Sequence, residues 1–183
     1  GAGNSSAMSE YQYYEFQAID RPLDAREMRA LRRLSSRATI TPTLFQNSYN
    51  FGDFRGDPTA LMRKYFDAFV HVTSWGTRQL MLRMPRRALD TSAIAPFFAG
   101  KSVSLIRGGG ERVVLSFTRD EEESDGWEDG EGILSSLVPL RADLLRGDLR
   151  VMYLGWLMGA QQGELDGDDL EPPPPPGLGQ LSE

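Results

Sequence analysis

His71, the one histidine of the chain, follows Asp67 by four residues, and Lys64 stands three before Asp67. On a helix that spacing brings carboxylate and imidazole onto one face, where the acid can orient a general base. No nucleophile signature such as Gly-x-Ser-x-Gly accompanies the pair, so a structural surface pair is the expectation. Asp53 and Asp57 flank Gly56 in a loop and offer a second route, as an acid and base pair or as ligands of a hard cation. Asp57 has a simpler use as a helix N-cap, and turn chemistry accounts for Asp53. The acidic run from Glu121 to Glu131 lacks the spacing of a calcium loop, and Glu111 follows Gly108-Gly109-Gly110 where a phosphate loop needs Lys-Ser/Thr. A solvated loop and a hairpin turn are the expected roles. The chain has no cysteine, which excludes disulfides, thiolate nucleophiles and thiolate metal sites, and a single histidine excludes a histidine pair for zinc or iron. No catalytic residue, no metal site and no cofactor is expected.

Arginine is the feature that points outward. Arg26, Arg29, Arg33 and Arg37 recur at spacings of three, four and four, opposite Met28, Leu31 and Leu34, with Arg32 at the margin. A helix carrying this segment presents one continuous guanidinium stripe, the group suited to bidentate capture of carboxylate or phosphate. Beside a plain solvated face, three partners suit it: an acidic protein surface, this chain's own acidic segments, or nucleic acid. No nucleic-acid reader motif accompanies the stripe, so nucleic acid stands behind protein.

These candidates sit in a chain of 183 residues, enough for one domain with its own core. Hydrophobic residues make up 40% of it, which excludes a wholly disordered protein, and no apolar stretch approaches the roughly 20 residues of a membrane span. The net charge of −6 hides a division: Lys and Arg number 17 against 10 Asp and Glu through Arg119, and 3 against 16 from Asp120 onward.

The elements that must position the candidates follow from periodicity and punctuation. Tyr11 to Ile19 reads as a strand ended by Pro22, and Asp24 with Glu27 makes a capping box for a helix to about Arg37. Phe45 to Phe51 reads as a second strand. Asp57-Pro58 starts a second helix expected to run from Thr59 to about Thr73, with Leu61, Met62, Tyr65, Phe66, Phe69 and Val72 on its apolar face. Thr77 to Met84 is a third strand; Ser102 to Ile106 and Arg112 to Phe117 form a hairpin. Two closing helices, Ile133 to Arg146 and Asp148 to Ala160, meet at Gly147, and Tyr153, Trp156 and Leu157 read as core. Residues 1–8 are set aside as a tag remnant, 9–162 as the globular domain, and 163–183 as an acidic, proline-rich linker or tail whose Pro172–Pro176 run suits a stiff spacer.

Trp75-Gly76-Thr77-Arg78, Leu80-Met81-Leu82-Arg83 with Pro85, and Arg141 through Arg150 resemble strings found in a family of uncharacterised bacterial proteins. The resemblance covers most of the chain from Met8 to the proline run. It implies a bacterial, cytoplasmic setting and further chain beyond the prolines, and no activity, cofactor or site residue. The expectation is one α+β domain with a mixed sheet of about five strands, helices on one face and a C-terminal helical pair. Its expected function is that of a non-catalytic protein-interaction module, the N-terminal part of a larger bacterial protein, whose partner is another protein or a downstream domain. Arg26, Arg29, Arg33 and Arg37 are its binding residues. The alternatives are an enzyme with a loop carboxylate site at Asp53 and Asp57, possibly dependent on a divalent metal, and a nucleic-acid binder using the arginine stripe.

Overall fold

The computed structural model describes residues 10–52, 54–100, 102–108, 110–120 and 130–161. In chain order these form β1 (Tyr11–Gln17), α1 (Ala25–Leu34), β2 (Thr39–Ile40), β3 (Leu44–Asn50), α2 (Pro58–Lys64), β4 (Ala68–Thr73) and β5 (Thr77–Pro85). Then come α3 (Thr91–Ile94), flanked by 3₁₀ turns, β6 (Val103–Arg107), β7 (Arg112–Asp120), α4 (Ile133–Leu145) and α5 (Arg150–Gln161).

The strands make one seven-stranded sheet in the order β2-β3-β1-β4-β5-β7-β6. Every pairing is antiparallel. The expected mixed sheet of about five strands is therefore corrected, and the two strands it lacked are β2 and β4. β4 is the decisive one. Leu61 to Val72 satisfies a helical period, yet the helix stops at Lys64 and Ala68–Thr73 becomes a central strand between β1 and β5. Ala68, Val70 and Val72 enter one core and Phe69 the other, so a strand buried on both faces lacks the alternation that separates strand from helix. Its β-branched and aromatic residues favour the extended form once a sheet exists to receive it. With β4 in place, short turns join β4 to β5 and β6 to β7, and no parallel crossover is needed.

Helices cover both faces, which corrects the expected one-sided arrangement. Phe16, Phe45, Phe66 and Phe69 pack on one face beneath α1 and α2, with the rings of Phe16 and Phe69 4.6 Å apart. The other face holds Val70, Leu82, Met84 and Leu115 beneath α3, α4 and α5, and Tyr153 and Trp156 are buried there. Gly155 lets α5 lie close to the sheet: a Cβ at this position would stand 2.8 Å from Val103 and 2.9 Å from Phe117. No helix among the described residues is long and apolar enough to cross a membrane.

Candidate functional site

α1 begins as its sequence dictates. The Asp24 carboxylate accepts from the Glu27 N–H at 2.8 Å, and Glu27 returns the bond by accepting from the Asp24 N–H at 3.0 Å. Arg21 closes on the same Glu27 carboxylate with two hydrogen bonds of 2.9 and 2.7 Å. The Arg21 hydrogen bond is the main reason the Glu27 carboxyl is held down at about 2, with the capping backbone assisting. Glu27 thus spends its charge on Arg21 and the cap, away from the stripe. Arg32 also turns back, donating to the carbonyls of Ser35, Ser36 and Ala38 at the end of the helix.

Arg26, Arg29 and Arg33 remain on the outer face, all exposed. Among the described residues none of the three donates a hydrogen bond or meets a carboxylate within the 4.0 Å of an ion pair. They line a groove of about 690 Å³ together with Arg21, Asp24, Glu27 and Tyr65. Arg37 is exposed but does not join them. Ser35 leaves the helix at φ −152°, ψ 112°, three residues earlier than the periodicity predicts, and Arg37 falls on the connection to β2. The stripe of four is therefore a cluster of three. A second group of guanidiniums, Arg86, Arg87, Arg107 and Arg112, surrounds a groove of about 700 Å³ where β6 turns into β7. Arg63 reaches from α2 to donate to the Arg107 carbonyl at 2.8 Å.

The catalytic candidates disperse. His71 lies on β4, where its Nε2 is 3.0 Å from the Gln12 Oε1 and its ring stacks on Tyr14 at 4.2 Å. Four residues along a strand carry it roughly 13 Å from Asp67, where a helix would have joined them. Asp57 caps α2 by accepting from the Thr59 N–H at 3.0 Å. Asp53 lies outside the described residues, as do Gly109, the acidic run from 121 to 129 and the proline run. Gly108 donates to the Arg112 carbonyl within the β6–β7 turn, a hairpin role. No group of three or more His, Asp or Glu side chains able to hold a metal occurs among the described residues.

Reading the sequence missed the most elaborate polar assembly. Asp67, only 1% exposed, accepts from the N–H groups of Ile19 and Asp20 at 2.6 and 2.9 Å and from Arg83 at 3.0 and 3.2 Å. Arg141, inside α4, donates Nε to the Arg83 carbonyl at 2.7 Å and both Nη groups to Asp20 at 3.1 and 2.7 Å. Arg112 stands 3.7 Å from the Asp67 carboxylate. Burial pushes the Arg83 guanidinium below its ordinary range, against the pull of Asp67. The network ties β1, β4, β5 and α4 together, and its carboxylates are consumed by structural partners. The signal was present: Asp67 between Phe66 and Ala68, and Arg83 between Leu82 and Met84, are charges inside apolar runs. A smaller assembly holds buried Glu15, which accepts from the Tyr13 hydroxyl at 2.6 Å and from Gln17 at 3.0 Å. Burial, then Glu15, raises the Tyr13 phenol well above its ordinary value, so it stays a donor.

No protein-family model, no curated protein and no solved structure matches the chain.

Proposed function

We propose that this domain is a non-catalytic interaction module within a larger bacterial cytoplasmic protein, and that the exposed face of α1 docks an acidic protein surface. The observation that carries the reading is the local pairing of charge: Arg26, Arg29 and Arg33 line one groove without an ion-pair partner among the described residues, while Glu27 is committed to Arg21 and the helix cap. Desolvated carboxylates of a partner would find bidentate donors there without displacing an internal ion pair. Tyr65 adds an amphipathic ring to the same groove, a composition suited to a protein contact.

Nucleic acid is the second reading, favoured by the further arginines Arg86, Arg87 and Arg107 and by the bond from Arg63 to the Arg107 backbone. No nucleic-acid reader motif accompanies the α1 arginines, which places this reading second.

Fluorescence anisotropy with a labelled glutamate-rich peptide and a labelled DNA duplex separates the two. The peptide should bind the parent chain and lose at least tenfold in affinity with Arg26→Gln, Arg29→Gln and Arg33→Gln combined. Tighter duplex binding, with a log–log salt slope of about 0.9 per phosphate contact, would transfer the assignment to nucleic acid. Equal binding of the peptide by parent and variant would remove α1 from the interaction.

A further inference from the structure

Phe51 and Trp75 are 62% and 52% exposed, more than any other large apolar side chain among the described residues. They are neighbours through the sheet. Tyr11 pairs with Asn50 on one side, and its carbonyl accepts from the Ser74 N–H on the other, so the end of β3 and the β4–β5 turn flank the start of β1. Two strand spacings put them about 10 Å apart. Together with Glu10, Gln12 and Gly52 they line a groove of about 500 Å³.

Phe51 is also the one non-glycine residue with positive φ, +62°, among the described residues. A bulky side chain is disfavoured in that conformation and persists there only where its surroundings impose it. Here they do: the Phe51 N–H donates to the Glu10 carbonyl at 2.9 Å, and Gln12 Nε2 donates to the Gly52 carbonyl at 3.2 Å. The hydrogen bonds hold an aromatic ring out in solvent beside the exposed indole of Trp75.

We infer that this groove binds the Pro172–Pro176 run of the same chain. A proline run offers apolar ring faces and carbonyl acceptors and no N–H donors, so it is recognised by aromatic walls with a donor among them, and the Trp75 indole supplies both. Consecutive prolines also bind with little entropy to lose, because the chain is stiff beforehand. α5 lies against Val103 and Phe117, and Phe117 pairs with Leu80, three residues along β5 from Thr77 and hence toward the Trp75 end of the sheet. From Gln161 the ten residues before Pro172 can span about 33 Å. Such a tether presents the run to the groove at an effective concentration of the order of millimolar.

The test uses the full chain labelled with ¹⁵N, with the Trp75 indole signal assigned through Trp75→Phe and the buried Trp156 as the folding reference. Replacing Pro172 through Pro176 by serine should shift the Trp75 indole signal and leave that of Trp156 in place. Adding a synthetic peptide of residues 170–178 to the serine chain should move the Trp75 signal back saturably, and Phe51→Ser should abolish both responses. A Trp75 signal indifferent to the serine replacements, or to the peptide, overturns the inference. A shift that fades on dilution of the parent chain also overturns it as stated, assigning the run to a second copy.

Discussion

Arg83 and Arg141 carry the same guanidinium group as Arg26, Arg29 and Arg33, and the molecule uses the two sets in opposite ways. The first pair is buried, forked onto Asp67 and Asp20 and onto backbone carbonyls, and cements α4 to the centre of the sheet. The second set stands in solvent on α1, and the two carboxylates that share its groove, Glu27 and Asp24, are engaged by Arg21 and by the helix cap. What separates a cementing arginine from a docking one is the partner the fold supplies. A guanidinium taken from water without a carboxylate is prohibitively costly, whereas an exposed one without a carboxylate costs little and stays available.

The comparison can be broken most severely at Asp67. Asp67→Ala strands the buried Arg83 and leaves the Ile19 and Asp20 N–H groups unmet, and should cost about 3–5 kcal/mol in urea denaturation. A loss below about 1 kcal/mol would mean the cluster is not the cement described. Arg141→Met keeps much of the aliphatic packing while removing the bonds to Asp20 and the Arg83 carbonyl; about 2 kcal/mol should be lost, read as a lower urea midpoint.

At Glu27 the effect depends on pH. Its folded carboxyl titrates at about 2 against an ordinary 4.5, chiefly because of the Arg21 hydrogen bond. A depressed acid contributes stability that is fully present above the ordinary value and is lost as pH falls through the folded one. Between pH 5 and pH 2 the parent should therefore lose stability more steeply than Glu27→Gln, and parallel curves would disconnect Glu27 from the cap. The smallest expected effect is on the outer set. Arg26→Gln, Arg29→Gln and Arg33→Gln together should change stability by no more than about 0.5 kcal/mol while weakening the acidic-peptide complex at least tenfold. A large stability loss would show that these arginines too are structural.

Elements with local signatures were legible. The capping box at Asp24, the N-cap at Asp57 with Pro58 behind it, and the β6–β7 hairpin all appear where their residue chemistry puts them. Strand β4 was not, because Phe66 to Thr73 has helical spacing and strand composition together, and only the vacancy between β1 and β5 decides between them. That one change relocated His71 and dissolved its pairing with Asp67. It also raised the strand count and made the sheet wholly antiparallel.

For the candidate sites, the arginine spacing alone marked α1 as a charged face, since a stripe on one helix depends only on the helical period. Its length was decided by the chain's turn at Ser35, which removed Arg37. The sequence by itself determined the kinds of chemistry on offer: an arginine-rich, cysteine-free chain with one histidine and an acidic, proline-bearing C-terminal stretch. Tertiary structure decided which charges are cement and which are exposed, and it set Phe51 beside Trp75. Such pairings join residues distant in sequence, and their energies depend on burial and partner geometry that no local pattern encodes.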